Sequence, residues 1–161
     1  MQFGKATEKD ILSLTGLRIA YLKDDLGPID KEDLHAIKTA LPAYFQNHLN
    51  KDLMVYAARE ADTIVSCAFL LVVEKPASPA FITGKTGTVM NVYTRPEYRH
   101  KGLARKLMTL LVDDAKAMGI SVVDLKTTEA GYPLYRSVGF EERPARYRQM
   151  SICFPRGEDS L

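Results

Sequence analysis

The stretch from Thr88 to Lys126 constrains the fold more than any other part of the chain. Thr88–Thr94 reads as a strand, Arg95–Lys101 as a polar turn, Leu103–Met118 as a helix closed by Gly119, and Ile120–Lys126 as a short apolar strand. Two strands joined by a helix of this length run parallel, with a right-handed crossover. Leu53–Ala58 and Thr63–Val73 are rich in β-branched and aliphatic residues and flank the polar turn Arg59–Asp62, a hairpin signal that adds antiparallel strands. Gln2–Ala6 reads as a short first strand. The expected fold is therefore α/β, or α+β: a mixed, mostly antiparallel sheet around a central parallel pair, with helices on both faces.

Two helices are expected before the hairpin. Thr7 fits an N-cap with Asp10 three residues later, and Ile11, Leu12, Leu14, Leu17, Ile19 and Leu22 make a largely apolar helix ending near Gly27-Pro28. Asp30 fits the next N-cap, ahead of Leu34, Ile37, Leu41, Tyr44, Phe45 and Leu49 at helical spacing; Pro42 within that pattern predicts a kink or two shorter helices. Glu74–Gly87 reads as a loop, of a length that is often functional. A small helix around Pro133–Val138 ends at Gly139, and Phe140 opens a last extended segment through about Ile152.

Composition narrows the classes of function. A length of 161 residues suits one domain over residues 1–161, with nearly half the residues apolar and about a quarter charged. Cys67 and Cys153 are too few and too far apart for a disulfide framework or a zinc site, and both read as ordinary buried thiols in a reducing compartment. No run of about 18 apolar residues is present, and Met1–Asp10 lacks the apolar core of a signal peptide; the expectation is a cytoplasmic protein without a membrane span. A net charge of +2 gives no sign of bulk nucleic-acid binding.

The most informative run is Arg99-His100-Lys101-Gly102-Leu103-Ala104-Arg105-Lys106. Gly102 and Ala104 let a ligand approach the backbone, and they lie where a helix begins, so several amides lack intrahelical acceptors. Those donors and the positive end of the helix dipole favour an anion, and Arg99, Lys101 and Arg105 add positive charge at the same rim. Two other readings compete. The charges can simply face solvent, or the glycines can belong to a dinucleotide-binding turn. The second fits poorly: seven residues separate Thr94 from Gly102, and Leu107 stands where a third glycine belongs, although Asp124 sits where a ribose-binding acid would.

Three motifs resemble one known family. Arg99-x-x-Gly102-x-Ala104 is similar to the Arg/Gln-x-x-Gly-x-Gly/Ala motif of the GNAT N-acetyltransferases. Asn91-Val92-Tyr93-Thr94-Arg95-Pro96-Glu97-Tyr98 resembles the strand and turn that precede it. Leu134-Tyr135-Arg136-Ser137-Val138-Gly139-Phe140 resembles the family's later Leu-Tyr-x-x-x-Gly-Phe signature. The match is detailed over residues 88–140.

The resemblance implies a parallel pair that splays, with acetyl-CoA as cosubstrate and no metal. The diphosphate would lie on the backbone amides of Arg99, His100, Lys101, Gly102, Leu103, Ala104 and Arg105, and the pantetheine arm along Val92, Tyr93 and Thr94. A backbone N–H at or near Val92 would stabilise the oxyanion. Tyr135 takes the family's general-acid position; an unperturbed tyrosine titrates near ~10, in the range of an aliphatic thiol. Many members carry an acidic residue where this chain has Met90 and Asn91. Asn91 cannot accept a proton usefully, yet can orient a water or the acceptor amine. Glu129 is a candidate base whose alternative is a solvated loop acid, and His100 titrates in range but lies in the phosphate turn. The acceptor is a small-molecule or peptide amine, with no nucleic acid or membrane partner, and a homodimer is compatible with the family.

The remaining features each carry two readings. Asp24, Asp25, Asp30, Glu32 and Asp33 can draw in a cationic amine or form a solvated acidic loop. Tyr44, Phe45 and Tyr56 can line an acceptor pocket or fill the core. Arg143, Arg146 and Arg148 can meet a partner subunit or the adenosine end of the cosubstrate, or protect an exposed strand. Besides the enzyme, a non-catalytic acyl-CoA-binding or regulatory module and a nucleotide or nucleic-acid binder remain open.

Overall fold

The protein is described over residues 1–156 by a computed structural model. Five strands, β1 (Gln2–Lys5), β2 (Leu53–Glu60), β3 (Thr63–Glu74), β4 (Lys85–Thr94) and β5 (Val122–Asp124), form one sheet in sequential order. β1 to β4 pair antiparallel, and β4 pairs parallel with β5. Four helices accompany them: α1 (Ile11–Leu26), α2 (Lys31–His48), α3 (Leu103–Ala117) and α4 (Tyr132–Ser137).

Two apolar clusters sit on the two faces of the sheet. On one face Leu14 and Leu17 of α1 and Phe45 of α2 pack with Val55, Ala57, Cys67 and Phe69. On the other, Leu103, Leu107, Met108, Leu111 and Ala115 of α3 pack with Tyr56, Ala58, Val65, Ala68 and Leu70. Side chains of successive strand residues point to opposite faces, so β2 and β3 feed both clusters and read as nearly continuous apolar runs. The aromatic residues Phe45 and Tyr56 are buried and belong to this core. The mixed, mostly antiparallel sheet with helices on both faces is thus observed.

Local signals act as expected at most element ends. The Thr7 amide donates to the Asp10 carboxylate at 2.7 Å, opening a single 3₁₀ turn ahead of α1. The Asp30 carboxylate accepts from the amides of Glu32 and Asp33 at 2.9 and 3.1 Å and starts α2. Pro42 does not divide α2, which runs unbroken through it. The hydrogen bond that proline removes is the one to the Lys38 carbonyl, and Lys38 is exposed, so water can satisfy that group. β4 begins at Lys85, three residues before the sequence pattern suggests, because Thr86, Gly87 and Thr88 are the residues that pair with β5.

Two expectations are corrected. The parallel pair does not lie in the middle of the described sheet: β5 is its last strand. The segment after Phe140, expected as a further strand, is extended but pairs with no strand among the described residues. It leaves Met150, Ile152 and Phe154 at 90%, 78% and 81% exposure. Pro144 lacks an amide donor, and a run of charged residues precedes it, both unfavourable for laddering onto β5. None of the described helices is long and apolar enough to cross a membrane.

Cys153 lies in that extended segment and is exposed, whereas Cys67 is buried in β3, so the expectation of two buried thiols holds for Cys67 alone. Burial pushes the Cys67 thiol up to about 12. The thiolate is the reactive form. A chromogenic disulfide reagent at neutral pH should therefore titrate one thiol quickly in the folded protein and the second only after denaturation. Two fast thiols in the native state would contradict this placement of Cys67.

Candidate active site

β4 carries the first half of the site. Cys67 of β3 faces Tyr93 and Phe69 faces Met90, so Asn91 and Val92 together oppose Ala68, which makes a β-bulge. Asn91 takes the extra residue's strain: its φ is +52°, a left-handed conformation that asparagine tolerates better than most side chains. It is buried, with its Oδ1 accepting from Arg18 Nη1 at 3.2 Å and its Nδ2 facing Cys67 Sγ at 3.6 Å.

The sheet opens just before the bulge. β4 and β5 pair at Thr86, Gly87 and Thr88 against Val122, Val123 and Asp124, and there the register ends. β4 runs on to Thr94 without a neighbour on that side, so residues 89–94 present an unpaired edge to the gap. Ser66 steadies the other edge. Its Oγ donates to the Tyr93 carbonyl at 3.1 Å and lies 2.7 Å from Thr94 Oγ1. The Tyr93 ring is buried with the α1 side of the core, so only its backbone faces the gap.

The turn into α3 supplies the second half. His100 and Gly102 both adopt left-handed backbone, with φ of +61° and +74°. The amides from His100 through Arg105 donate to no acceptor among the described residues, and the first helical bond runs from Lys106 N to Gly102 O at 3.1 Å. A row of free amides around two left-handed residues forms a concave nest for an anion, at the positive end of the α3 dipole. A Cβ built on Gly102 would meet nothing within 4 Å, so no protein atom crowds this residue.

A cavity of about 680 Å³ joins the halves. Val92, Tyr93 and Thr94 line it, as do Arg99, His100, Gly102, Leu103, Ala104 and Arg105 from the turn, and Tyr135 from α4. Lys101 and Asn91 do not. The Lys101 ammonium lies 4.9 Å from the centroid of the Tyr98 ring, and Asn91 is turned toward α1. The charge of Arg99 is also spoken for. Its Nε donates to the Thr94 carbonyl at 2.9 Å and its guanidinium pairs with Asp24, so it ties β4, the turn and α1 together instead of projecting at the rim. Arg105 and Lys126 are the basic side chains left bordering the cavity with His100.

Tyr135 stands on the far wall. Its hydroxyl makes no hydrogen bond to any described residue, and its ring meets Phe140 edge-on at 6.1 Å. Gly131 lies beneath it: a Cβ there would come within 3.2 Å of Tyr135 Cε2. Burial raises the phenol above its ordinary range, with Tyr21 across the cavity a second cause. Glu129 is exposed, and its neighbours Thr128 and Ala130 border the cavity in its place. A larger cavity of about 910 Å³ lies on the other side of Tyr135, between β5 and the departing segment from Phe140 to Pro144. It holds none of the phosphate-turn residues and follows from the strand that does not form there.

Asp24, read as part of an acidic cluster, pairs with Arg99, and Arg18 and Tyr21 of α1 are the site neighbours that the sequence reading passed over. Their signal was present: Arg18 and Tyr21, with Asp25, recur at helical spacing in a helix otherwise read for its apolar positions.

Solved structures share this architecture. A predicted acetyltransferase with acetyl-CoA from Clostridium acetobutylicum is 29% identical, with 93% of this chain and 95% of that one covered and a TM-score of 0.80. A GCN5-related N-acetyltransferase from Ralstonia eutropha superposes with a TM-score of 0.78 over 94% of this chain and 97% of that one, at 22% identity. The glucosamine-6-phosphate N-acetyltransferase of Arabidopsis thaliana has the same fold at 20% identity, a TM-score of 0.63 and coverage of 96% and 98%. No curated protein sequence matches the chain significantly. The sequence model of the acetyltransferase (GNAT) family matches residues 20–140, which takes in every residue that borders the smaller cavity. The opened parallel pair and the amide nest thus lie inside the matched region, and the chain belongs to the GNAT acetyltransferase family.

Proposed function

We propose that the protein transfers an acetyl group from acetyl-CoA to a primary amine by direct attack on the thioester, with Tyr135 as general acid. The row of unpartnered amides from His100 to Arg105 carries this reading, because a diphosphate satisfies several of them at once. Arg105 adds charge at that end, while the unpaired edge of Val92, Tyr93 and Thr94 offers strand-like pairing to an extended amide-containing arm.

Bound acetyl-CoA supplies an activated acyl carbon. The chain's own groups do the rest. The bulge turns the backbone around Val92 out of the β3 ladder, which makes its N–H the natural donor to charge developing on the carbonyl oxygen. The Tyr135 hydroxyl, without a hydrogen-bond partner among the described residues and kept protonated by its burial, delivers the proton that the departing thiolate needs. Asn91 has no proton to take or give, and its left-handed backbone forms the bulge. Deprotonation of the amine falls to water.

Calorimetric titration with acetyl-CoA and a thiol-release assay over a panel of primary amines test the proposal together. Saturable binding in the range of about 1 μM to 1 mM, with thiol release that requires an amine, is expected. A folded protein indifferent to acetyl-CoA would end this reading.

A further inference from the structure

Arg18 is the charged side chain near the site that the structure leaves least accounted for. It projects from α1, one helical turn before Tyr21, and is half-buried. Its one hydrogen bond among the described residues is from Nη1 to Asn91 Oδ1 at 3.2 Å, and its guanidinium lies 5.5 Å from the centroid of the Tyr21 ring. None of the ion pairs among the described residues includes it, whereas Arg59, Arg99 and Arg156 each have an aspartate.

A guanidinium carries five N–H donors in a planar fork that matches a carboxylate or phosphate. One donor here meets a neutral amide oxygen. Holding such a charge partly out of water, without a counter-ion, is costly unless something supplies the missing acceptor. Its position says where that acceptor would come from. Asn91 is the bulge residue of β4, and Tyr21 borders the same cavity as Tyr135 and helps raise the Tyr135 phenol. Arg18 itself does not border that cavity; it is joined to it through the Tyr21 ring and through Asn91 of the bulge. Asp25, the acid that acts on Tyr21, lies two turns along α1 from Arg18 and does not reach it.

We infer that Arg18 receives an anionic group, a carboxylate or a phosphate, carried by the acceptor a few atoms from its amine. This rests on the acetyl-transfer reading above. The acceptor is then an acidic or zwitterionic amine rather than a simple alkylamine, and Tyr21 stacked on the guanidinium holds the fork in place.

Matched acceptor pairs test it, each compared by kcat/KM at equal free-base concentration. Free α-amino acids against their carboxamides form the carboxylate arm, and phosphoethanolamine against ethanolamine forms the phosphate arm. A charge-assisted hydrogen bond contributes about 1.5–3 kcal/mol, so the anionic member of at least one pair should be favoured roughly tenfold or more. The arm that shows the preference identifies the anion. Arg18→Gln should bring that ratio to within about twofold, and Arg18→Lys should retain part of it. Acetyl-CoA titration of both variants reports that they are folded. Two results overturn the inference: a wild-type protein that acetylates neutral amines yet favours neither anion, or an Arg18→Gln variant that slows both members of a pair equally. The second would make Arg18 a strut for Asn91. In either case acetyl-CoA binding still stands, which separates this failure from failure of the acetyl-transfer reading.

Discussion

Gly102→Val should yield a folded protein that no longer binds acetyl-CoA. Gly102 has a φ of +74°, so any L side chain there is strained by about 1–2 kcal/mol. That strain alone does not stop binding. A Cβ at Gly102 would meet no protein atom within 4 Å, at the residue that sits among the free amides from His100 to Arg105. Valine would occupy the volume that a diphosphate needs. Losing two charge-assisted hydrogen bonds at about 1.5–3 kcal/mol each weakens binding ~100-fold or more. Gly119→Val is the control, since Gly119 has a φ of +73° and open surroundings at the far end of α3. It should lose a similar amount of stability in thermal melts and bind acetyl-CoA normally. Wild-type affinity in Gly102→Val would remove the amide nest from the account.

The features that the sequence made legible are those set by neighbours a few residues away. The Asp30 cap and the helix that opens at Leu103 and closes before Gly119 follow from local spacing, and the structure has them at the expected positions. The features it concealed are set by partners far along the chain. Asn91 reads as an ordinary strand residue until β3 fixes the register and forces two residues to oppose Ala68. Arg99 reads as a free cation because its partner Asp24 is 75 positions away. Arg18 joins Asn91 across 73 positions, so nothing near either residue announces the contact. The segment from Phe140 to Ile152 errs in the opposite sense. Its Met150 and Ile152 alternate as in a strand, but pairing needs an edge to pair with, and that condition is not written in the segment itself.

Tyr135→Phe should lower kcat by about 10²–10⁴ while leaving the acetyl-CoA dissociation constant within about twofold. The substitution is unusually clean here. The Tyr135 hydroxyl has no hydrogen-bond partner among the described residues, so removing it orphans no buried group, and the edge contact with Phe140 survives. Melting temperature should stay near that of the wild type, which excludes unfolding as the cause of lost turnover. The pH profile adds a second test. Burial, with Tyr21 across the cavity a second cause, raises the Tyr135 phenol above its ordinary value, so the acid form persists as pH rises and is lost only above about pH 10. Below that, rising pH changes one reactant only, the acceptor amine, whose free-base fraction grows. Wild-type kcat/KM should therefore climb with pH to a plateau set by the amine and show no descending limb before about pH 10. The Phe variant should trace the same curve at lower height, because it has lost the proton donor and not the titration of the acceptor. A wild-type rate that falls between pH 8 and 9, or a Phe variant as fast as the wild type, would assign the proton to another group.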